Sequence, residues 1–442
     1  MIRRMAAERQ SSGRTLTRAR PVSRRSFLHR TGLAAIAAPY IVPGVALGNA
    51  ARRTPSERIG LGIIGLKKMG RVHVRNLLRY GEVQIVGVCD VDREARQAAK
   101  GRVEEYYSAR RRSGRYGGCA AYNEYEQLLA RDDVDAVVIA TPEHWHAIMA
   151  IAAARAGKDV YCEKPLSLTI REARAMVNAA RRYGIVFQTG SQQRSSRRFR
   201  HACELVRNGR LGDVHTVNVG VGPPSGEVYL PAQPVPEGLD YERWLGPAPW
   251  QPYHVTRCGS YYEDGWRRIR DYSGGKMTDW GAHHFDIAQW GLGMDHTGPV
   301  EVIPPNGKDV PALTYRYGNG VTMIRGGADG ILFTGTKGKL EVNRDHLTTW
   351  PESIARQAVG PRDLHLYESP GHYEDWLRCI RTRRRPICDV EIGCRSVTVC
   401  HLGNIAFWVS RPIRWDPVSE RIIGDEGAAR WLDRPKRAPY RI

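Results

Sequence analysis

A chain of 442 residues exceeds what one hydrophobic core ordinarily supports, so two folded domains are expected. With 42% hydrophobic and 26% charged residues, the composition is that of a globular protein and not of a fibrous or disordered one. The formal charge of +21 suggests nucleic acid, but residues 1–53 hold eleven Arg, no Lys and one acid, Glu8, which leaves 21 − 10 = +11 spread over the rest. That remainder is diffuse. Its local runs, Arg110-Arg111-Arg112 and Arg383-Arg384-Arg385, read as exposed loop charge, and no zinc-finger or RNA-recognition spacing occurs. No nucleic-acid partner is expected. The nine Cys are scattered without a CxxC pair, so neither a metal site nor a disulfide framework is predicted.

The first fifty residues read as a leader, outside the folded architecture. Ser23-Arg24-Arg25-Ser26-Phe27-Leu28 is a twin-arginine sequence followed by an apolar stretch, Gly32 to Leu47, and small residues around Ala46-Leu47-Gly48. The stretch carries Pro39 and Pro43 and falls short of the ~20 residues of a membrane span. This predicts the twin-arginine export machinery as a partner, a periplasmic location and no stable membrane span. The plain alternative is a basic tail with an accidental Arg pair.

From Arg58 the pattern becomes one of alternating strands and helices, predicting a nucleotide-binding domain over 55–188 with a doubly wound parallel sheet. Strands are expected at Ile59–Gly65, Val83–Cys89, Ala136–Ala140, Lys158–Cys162 and Ile185–Gln188, with a helix over Met69–Tyr80. The turn Gly65-Leu66-Lys67-Lys68-Met69-Gly70 keeps the first and last glycines of a dinucleotide fingerprint, but puts Lys67 where the middle glycine would admit a pyrophosphate. Asp90, twenty residues after Gly70 and at a strand end, is placed to accept ribose hydroxyls, which favours NAD over NADP. Thr141, Pro142, Trp145 and His146 follow another strand, where loops line the nicotinamide side. Thr169 and Glu172 form a capping box.

Beyond residue 188 the chain turns to short strands, aromatics and turn residues, giving a second domain over 189–442 of α+β type. Strands are expected at Asp213–Gly222, Val300–Ile303, Leu313–Tyr317, Val321–Ile324, Ile331–Thr334 and Lys339–Val342, and helices at His372–Arg383 and Ser396–Ser410. Gln192 and Arg194 are candidate substrate contacts, whereas Arg197, Arg198 and Arg200 read as a solvated face. Trp145 and Tyr272 are candidates to stack on a ring, although clustered aromatics more often form core.

Two segments carry the chemistry. GGKMTDWGAHHFD (274–286) gathers Asp279, His283, His284 and Asp286, and YCEKPLS (161–167) supplies Glu163 and Lys164. Any one of these residues alone is ordinary. Together, behind a nucleotide-binding turn, they are the parts needed to move a proton and a hydride at a sugar-type hydroxyl. On a helix Asp279 and His283 share a face, so Asp279 is expected to orient His283 as the base. Lys164 is expected to stabilise the alkoxide, with His284 and Asp286 structural.

In order, GIIGLKKMG, VGVCDVD, ATPEHWHA, GKDVYCEKPLS and GGKMTDWGAHHFD resemble the Gfo/Idh/MocA oxidoreductase family from about Arg58 to the C-terminus, and the leader resembles its secreted branch. The resemblance implies an α/β fold with an N-terminal Rossmann sheet and a C-terminal α+β domain with an open, mostly antiparallel sheet. It implies Lys164, Asp279 and His283 as catalytic residues, and Gly65, Leu66, Lys67, Met69, Gly70, Asp90, Thr141, Pro142, His146, Glu163 and Lys164 around a retained NAD. It also implies a sugar or glycoside substrate and a homo-oligomer, dimer or tetramer. Lys67 departs from the family pattern. The alternatives are an NAD-dependent glycosidase that uses transient oxidation and a non-catalytic sugar-binding relic.

Overall fold

The structure is a computed structural model that describes residues 58–109, 116–259 and 265–442. The twin-arginine leader, Arg110-Arg111-Arg112, Tyr261 and Tyr262 lie outside the described residues.

Six strands form the first sheet: β1 (Ile59–Ile64), β2 (Val83–Cys89), β3 (Ala120–Tyr122), β4 (Ala136–Ile139), β5 (Asp159–Cys162) and β6 (Phe187–Thr189). They pair in parallel throughout, in the order β3-β2-β1-β4-β5-β6. β1, β4 and β5 are buried along their whole length, as strands covered by helices on both faces must be. The order reverses between β1 and β4, and a ligand crevice forms at the carboxyl ends beside such a reversal. β3 was not expected, because its three residues are only half-buried and offer no apolar run. The strand at Ala136 is therefore the fourth and not the third.

Nine strands form the second sheet. After β7 (Val214–Val219) come β8 (Glu301–Ile303), β9 (Thr314–Arg316), β10 (Thr322–Arg325), β11 (Ile331–Gly335) and β12 (Gly338–Val342). β13 (Leu347–Trp350), β14 (Ile413–Asp416) and β15 (Arg421–Ile423) complete it. The order is β13-β12-β11-β7-β10-β9-β8-β14-β15, antiparallel except where β7 meets β10. Helices Arg197–Arg207, Gly281–Leu292 and Val390–Val409 cover one face, packing Phe199, Phe285 and Cys400 into one core with Val217, Met323 and Phe333.

The first sheet ends at Thr189 and the second begins at Val214, and the C-terminal helices pack against both. His372–Thr382 buries Trp376 and Leu377 in the core on one side of the parallel sheet. Val390–Val409 gives Val390, Cys394 and Val397 to the core on its other side, and Val399, Leu402 and Ile405 to the second-sheet core. Residues 236–240 also reach back to the first sheet. Arg93 N donates to Gly238 O at 2.9 Å, Asp240 N to Val91 O at 3.0 Å, and Asn123 Nδ2 to Asp240 Oδ2 at 2.8 Å. All nine cysteines are free thiols. Among the described residues no helix is long and apolar enough to cross a membrane.

Candidate active site

One cleft of about 840 Å³ runs along the carboxyl ends of β1, β2, β4 and β5 and is closed from the other side by residues of the second half. At one end is the glycine turn. Gly65 has φ +84°, and a Cβ there would lie 2.7 Å from the Ala140 backbone; a Cβ on Gly70 would lie 1.9 Å from Gly65 O. Both positions therefore admit only glycine. Lys67 sits at φ −75°, which any residue adopts, just before the helix Lys68–Leu77. Leu66, Lys67 and Met69 line the cleft beside this helix start.

Asp90 Oδ2 accepts from Leu66 N at 2.6 Å and Oδ1 from Asp92 N at 2.9 Å, so the carboxylate braces the turn from the end of β2. Burial raises its pKa against those two bonds and the charge of Lys67. Lys67 reaches Asp92, and although partial burial pushes the Asp92 carboxyl up, the bond from Lys67 helps hold it below its usual range. Turn, helix start and the Asp90 carboxylate at the end of β2 fit a dinucleotide.

The opposite wall is built from Thr141, Pro142, Trp145 and His146. His146 is pinned between two carbonyls, with Nδ1 at 2.8 Å from Pro165 O and Nε2 at 2.9 Å from Thr141 O, and burial lowers its pKa. Trp145 Nε1 donates to Trp244 O at 3.1 Å, while its ring packs so closely on Gly246 that a Cβ there would lie 2.2 Å away. It borders the cleft as packed wall.

Beyond β5, Glu163 turns inward and Lys164 faces the cleft. Glu163 Oε1 meets His73 Nε2 at 3.1 Å and accepts from Tyr161 OH at 3.2 Å and Gln192 Nε2 at 3.1 Å. Burial raises the Glu163 carboxyl, but the His73 bond and charge and the Lys164 charge bring it below its ordinary value. Gln192 thus lines the cleft with its amide nitrogen engaged below. Lys164 Nζ donates to Asp279 Oδ1 at 2.8 Å and to Asp279 O at 2.9 Å. Asp279 ends the short helix Lys276–Asp279, and the chain bends at Trp280 into Gly281–Leu292, which carries His283 on the cleft wall.

The structure thus brings Lys164, Asp279 and His283 to one cleft, but joins them differently from the expectation. No hydrogen bond links Asp279 to His283: Lys164 takes Oδ1 of the carboxylate, and Oδ2 meets no donor. His283 Nδ1 and Asp279 Oδ2 are buried without a partner. Burial first, then the charges of Lys164 and Arg344, holds the His283 imidazole well below its usual pKa. Arg344 stacks over Trp280 at 4.9 Å, and Arg267 Nε lies 3.6 Å from Asp279 Oδ1. Neither arginine announces itself in the sequence, Arg344 least of all, since it sits in the turn between β12 and β13.

Two expected substrate contacts lie elsewhere. Arg194 is buried, 1% exposed, with Nε on Asp286 Oδ2 at 2.8 Å and Nη2 on Asp295 Oδ1 at 2.7 Å. Its fork is filled by carboxylates and it does not line the cleft. Tyr272 is fully buried in an aromatic cluster, 4.9 Å from the Trp244 ring and 5.2 Å from His144. Asp286 is occupied by Arg194 and Ser396, and His284 Nδ1 lies 2.7 Å from Gly220 O, so both are structural.

Comparison with known proteins agrees with this fold. The profile "Oxidoreductase family, NAD-binding Rossmann fold" (GFO_IDH_MocA) matches residues 59–191, and "Oxidoreductase family, C-terminal alpha/beta domain" matches 222–442. The uncharacterized oxidoreductase YrbE of Bacillus subtilis is 24% identical over 81% of this chain and 97% of its own length. Myo-inositol 2-dehydrogenase of Thermotoga maritima is 27% identical over 53% of this chain and 55% of its own. The solved scyllo-inositol dehydrogenase from Lactobacillus casei, with bound NAD(H) and scyllo-inositol, superposes with a TM-score of 0.53 at 17% identity, covering 81% and 99% of the two chains.

Proposed function

Because this chain belongs to the Gfo/Idh/MocA oxidoreductase family and carries its NAD-binding domain, we propose that it oxidises a hydroxyl of a sugar or glycoside with a retained NAD. The observation that carries this reading is the Lys164–Asp279 pair, set beside His283 in the same cleft as the glycine turn. NAD, when bound, supplies the hydride acceptor. Lys164, held by two oxygens of Asp279, directs its ammonium at the substrate oxygen and stabilises the charge that develops there. His283 takes the hydroxyl proton. Its lowered pKa keeps the imidazole unprotonated at neutral pH, the form that can accept it. Retention is supported by Pro236, Leu239 and Tyr253, which line the same cleft from a segment tied to the first sheet.

Single-turnover reduction of enzyme-bound NAD by candidate sugars, followed at the nicotinamide absorbance, tests the assignment. Lys164→Ala and His283→Ala are expected to slow it by roughly 10²–10⁴, and His284→Ala to keep most of it. Near-wild-type reduction in both of the first two variants would sink the assignment. Sugar released from a glycoside without net reduction would instead favour the NAD-dependent glycosidase.

Export belongs to the same reading and is supported by Arg24-Arg25 and the apolar stretch behind them. Arg24→Lys with Arg25→Lys is expected to leave precursor in the cytoplasm, because guanidinium geometry and not charge alone is read; unchanged delivery to the periplasm would refute it. A homo-oligomer through the face of the second sheet opposite the helices Arg197–Arg207, Gly281–Leu292 and Val390–Val409 completes the proposal, with sedimentation as the check.

A further inference from the structure

Glu143 is the first residue of the helix Glu143–Arg155, directly after Thr141 and Pro142 on the cofactor side of the cleft. Its carboxylate, 1% exposed, is spent on the turn that carries Asp279. Oε1 accepts from Ser273 Oγ at 2.6 Å, and Oε2 from Gly274 N at 3.1 Å and Thr278 Oγ1 at 3.3 Å. Ser273 Oγ also accepts from Gly275 N at 3.1 Å, so its proton is committed to Glu143. The turn has little other freedom, since a Cβ on Gly274 would lie 2.1 Å from Thr278 and 2.8 Å from Asn404. The Glu143 carboxylate takes the donors of the turn while Asn404 Nδ2 holds its Gly274 carbonyl at 2.9 Å, and the turn so fastened sets Asp279, which in turn sets Lys164.

We propose that Glu143 is a positioning residue of the reaction read above, fastening the Asp279–Lys164 pair when ionised and loosening it when protonated. The Gly274 N–H can only donate to Glu143, so a proton on the carboxyl loses that partner if it sits on Oε2 and is met at Oε1 or Oε2 only when the Ser273 or Thr278 hydroxyl turns to accept it. The groups facing Glu143 are Asp279, Arg267, Cys400 and Arg434. Burial and then the Asp279 charge, against the Ser273 and Gly274 bonds and Arg267, bring its pKa up to about 7. The switch therefore falls near neutrality.

The proposal rests on the dehydrogenase reading, and its test separates the two. In the NAD-loaded full chain, Glu143→Gln should retain the dinucleotide and lower the single-turnover rate roughly ten- to a hundredfold above neutral pH. It should also abolish the acid limb that the wild type shows near neutrality, a limb that Glu143→Asp keeps. Without any sugar, the wild type should show an infrared band of a protonated carboxyl that titrates near neutrality and is missing in Glu143→Gln. Acylation of Lys164 should change rate across the same titration. Wild-type kinetics in Glu143→Gln, or no such titration in the sugar-free protein, would overturn the proposal. If no sugar reduces the bound NAD of the wild type, the dehydrogenase reading falls while the infrared and acylation titrations still judge Glu143.

Discussion

Arg194 and Lys164 are both cations set against aspartates, and only their surroundings separate a structural residue from a functional one. Arg194 is sealed between Asp286 and Asp295 with its guanidinium 5.1 Å from the Trp290 ring. Removing it leaves two carboxylates, one of them fully buried, without their counter-charge. Arg194→Ala is therefore expected to cost about 3–5 kcal/mol of stability, read as a lower denaturant midpoint, and not to raise the KM for a sugar. A stable variant with a weakened KM would restore it to the substrate site. In the sequence, Arg194 stands with Gln192 in the polar, basic stretch 191–200, and nothing local reveals that its partners arrive from positions 286 and 295. Asp279 misled in the same way. Its four-residue spacing to His283 is a rule within one helix, whereas the ammonium that claims it comes from 115 residues away.

At the scale of elements, legibility followed burial. β1, β2, β4 and β5 are apolar runs buried on both faces, and their positions were readable to within a residue or so. β3, β13, β14 and β15 are three or four residues long and alternate or lie half-exposed, so no run distinguishes them from turns. The glycine turn was readable because backbone contacts enforce Gly65 and Gly70. Lys67 was readable as a departure, but its reach to Asp92 was not. Helices are a different case. An amphipathic face over His372–Thr382 says that the helix packs, but not against which sheet, and Trp376 lands in the parallel-sheet core. The candidate catalytic segments are legible as segments because GGKMTDWGAHHFD and YCEKPLS concentrate ionisable residues within apolar surroundings. The arginines that complete the site come singly, from turns, and carry no such signal.

For the whole molecule, packing the two halves together buries histidines in their neutral form, and stability should depend on that. Burial lowers His144, His372 and His401 from 6.5 to about 4, and lowers His146, His283 and His284 as well. Below pH ~6.5 the unfolded chain takes up protons at these positions that the folded chain refuses. Unfolding therefore gains ground as pH falls from about 6.5 toward 4, at about 1.4 kcal/mol per pH unit for each such histidine. Glu143 works in the opposite sense. Its folded pKa of about 7 stands above the ordinary 4.5, so it adds stability at low pH that is lost as pH rises through 7. The six lowered histidines stand against the raised carboxyls of Glu143, Asp90, Glu172 and Asp286, and the denaturation midpoint is expected to decline as pH falls from about 6.5 toward 4. His401 isolates the effect, because it lies outside the cleft and bonds the Ser167 carbonyl, at 3.0 Å from Nε2, with burial first and Arg434 after it holding its pKa down. His401→Gln keeps a donor for that carbonyl but has no proton to gain. Its stability should be lower at neutral pH and decline less steeply on acidification, by about one proton's worth of slope. Parallel stability–pH curves for wild type and His401→Gln would show that the buried imidazole contributes nothing to acid sensitivity.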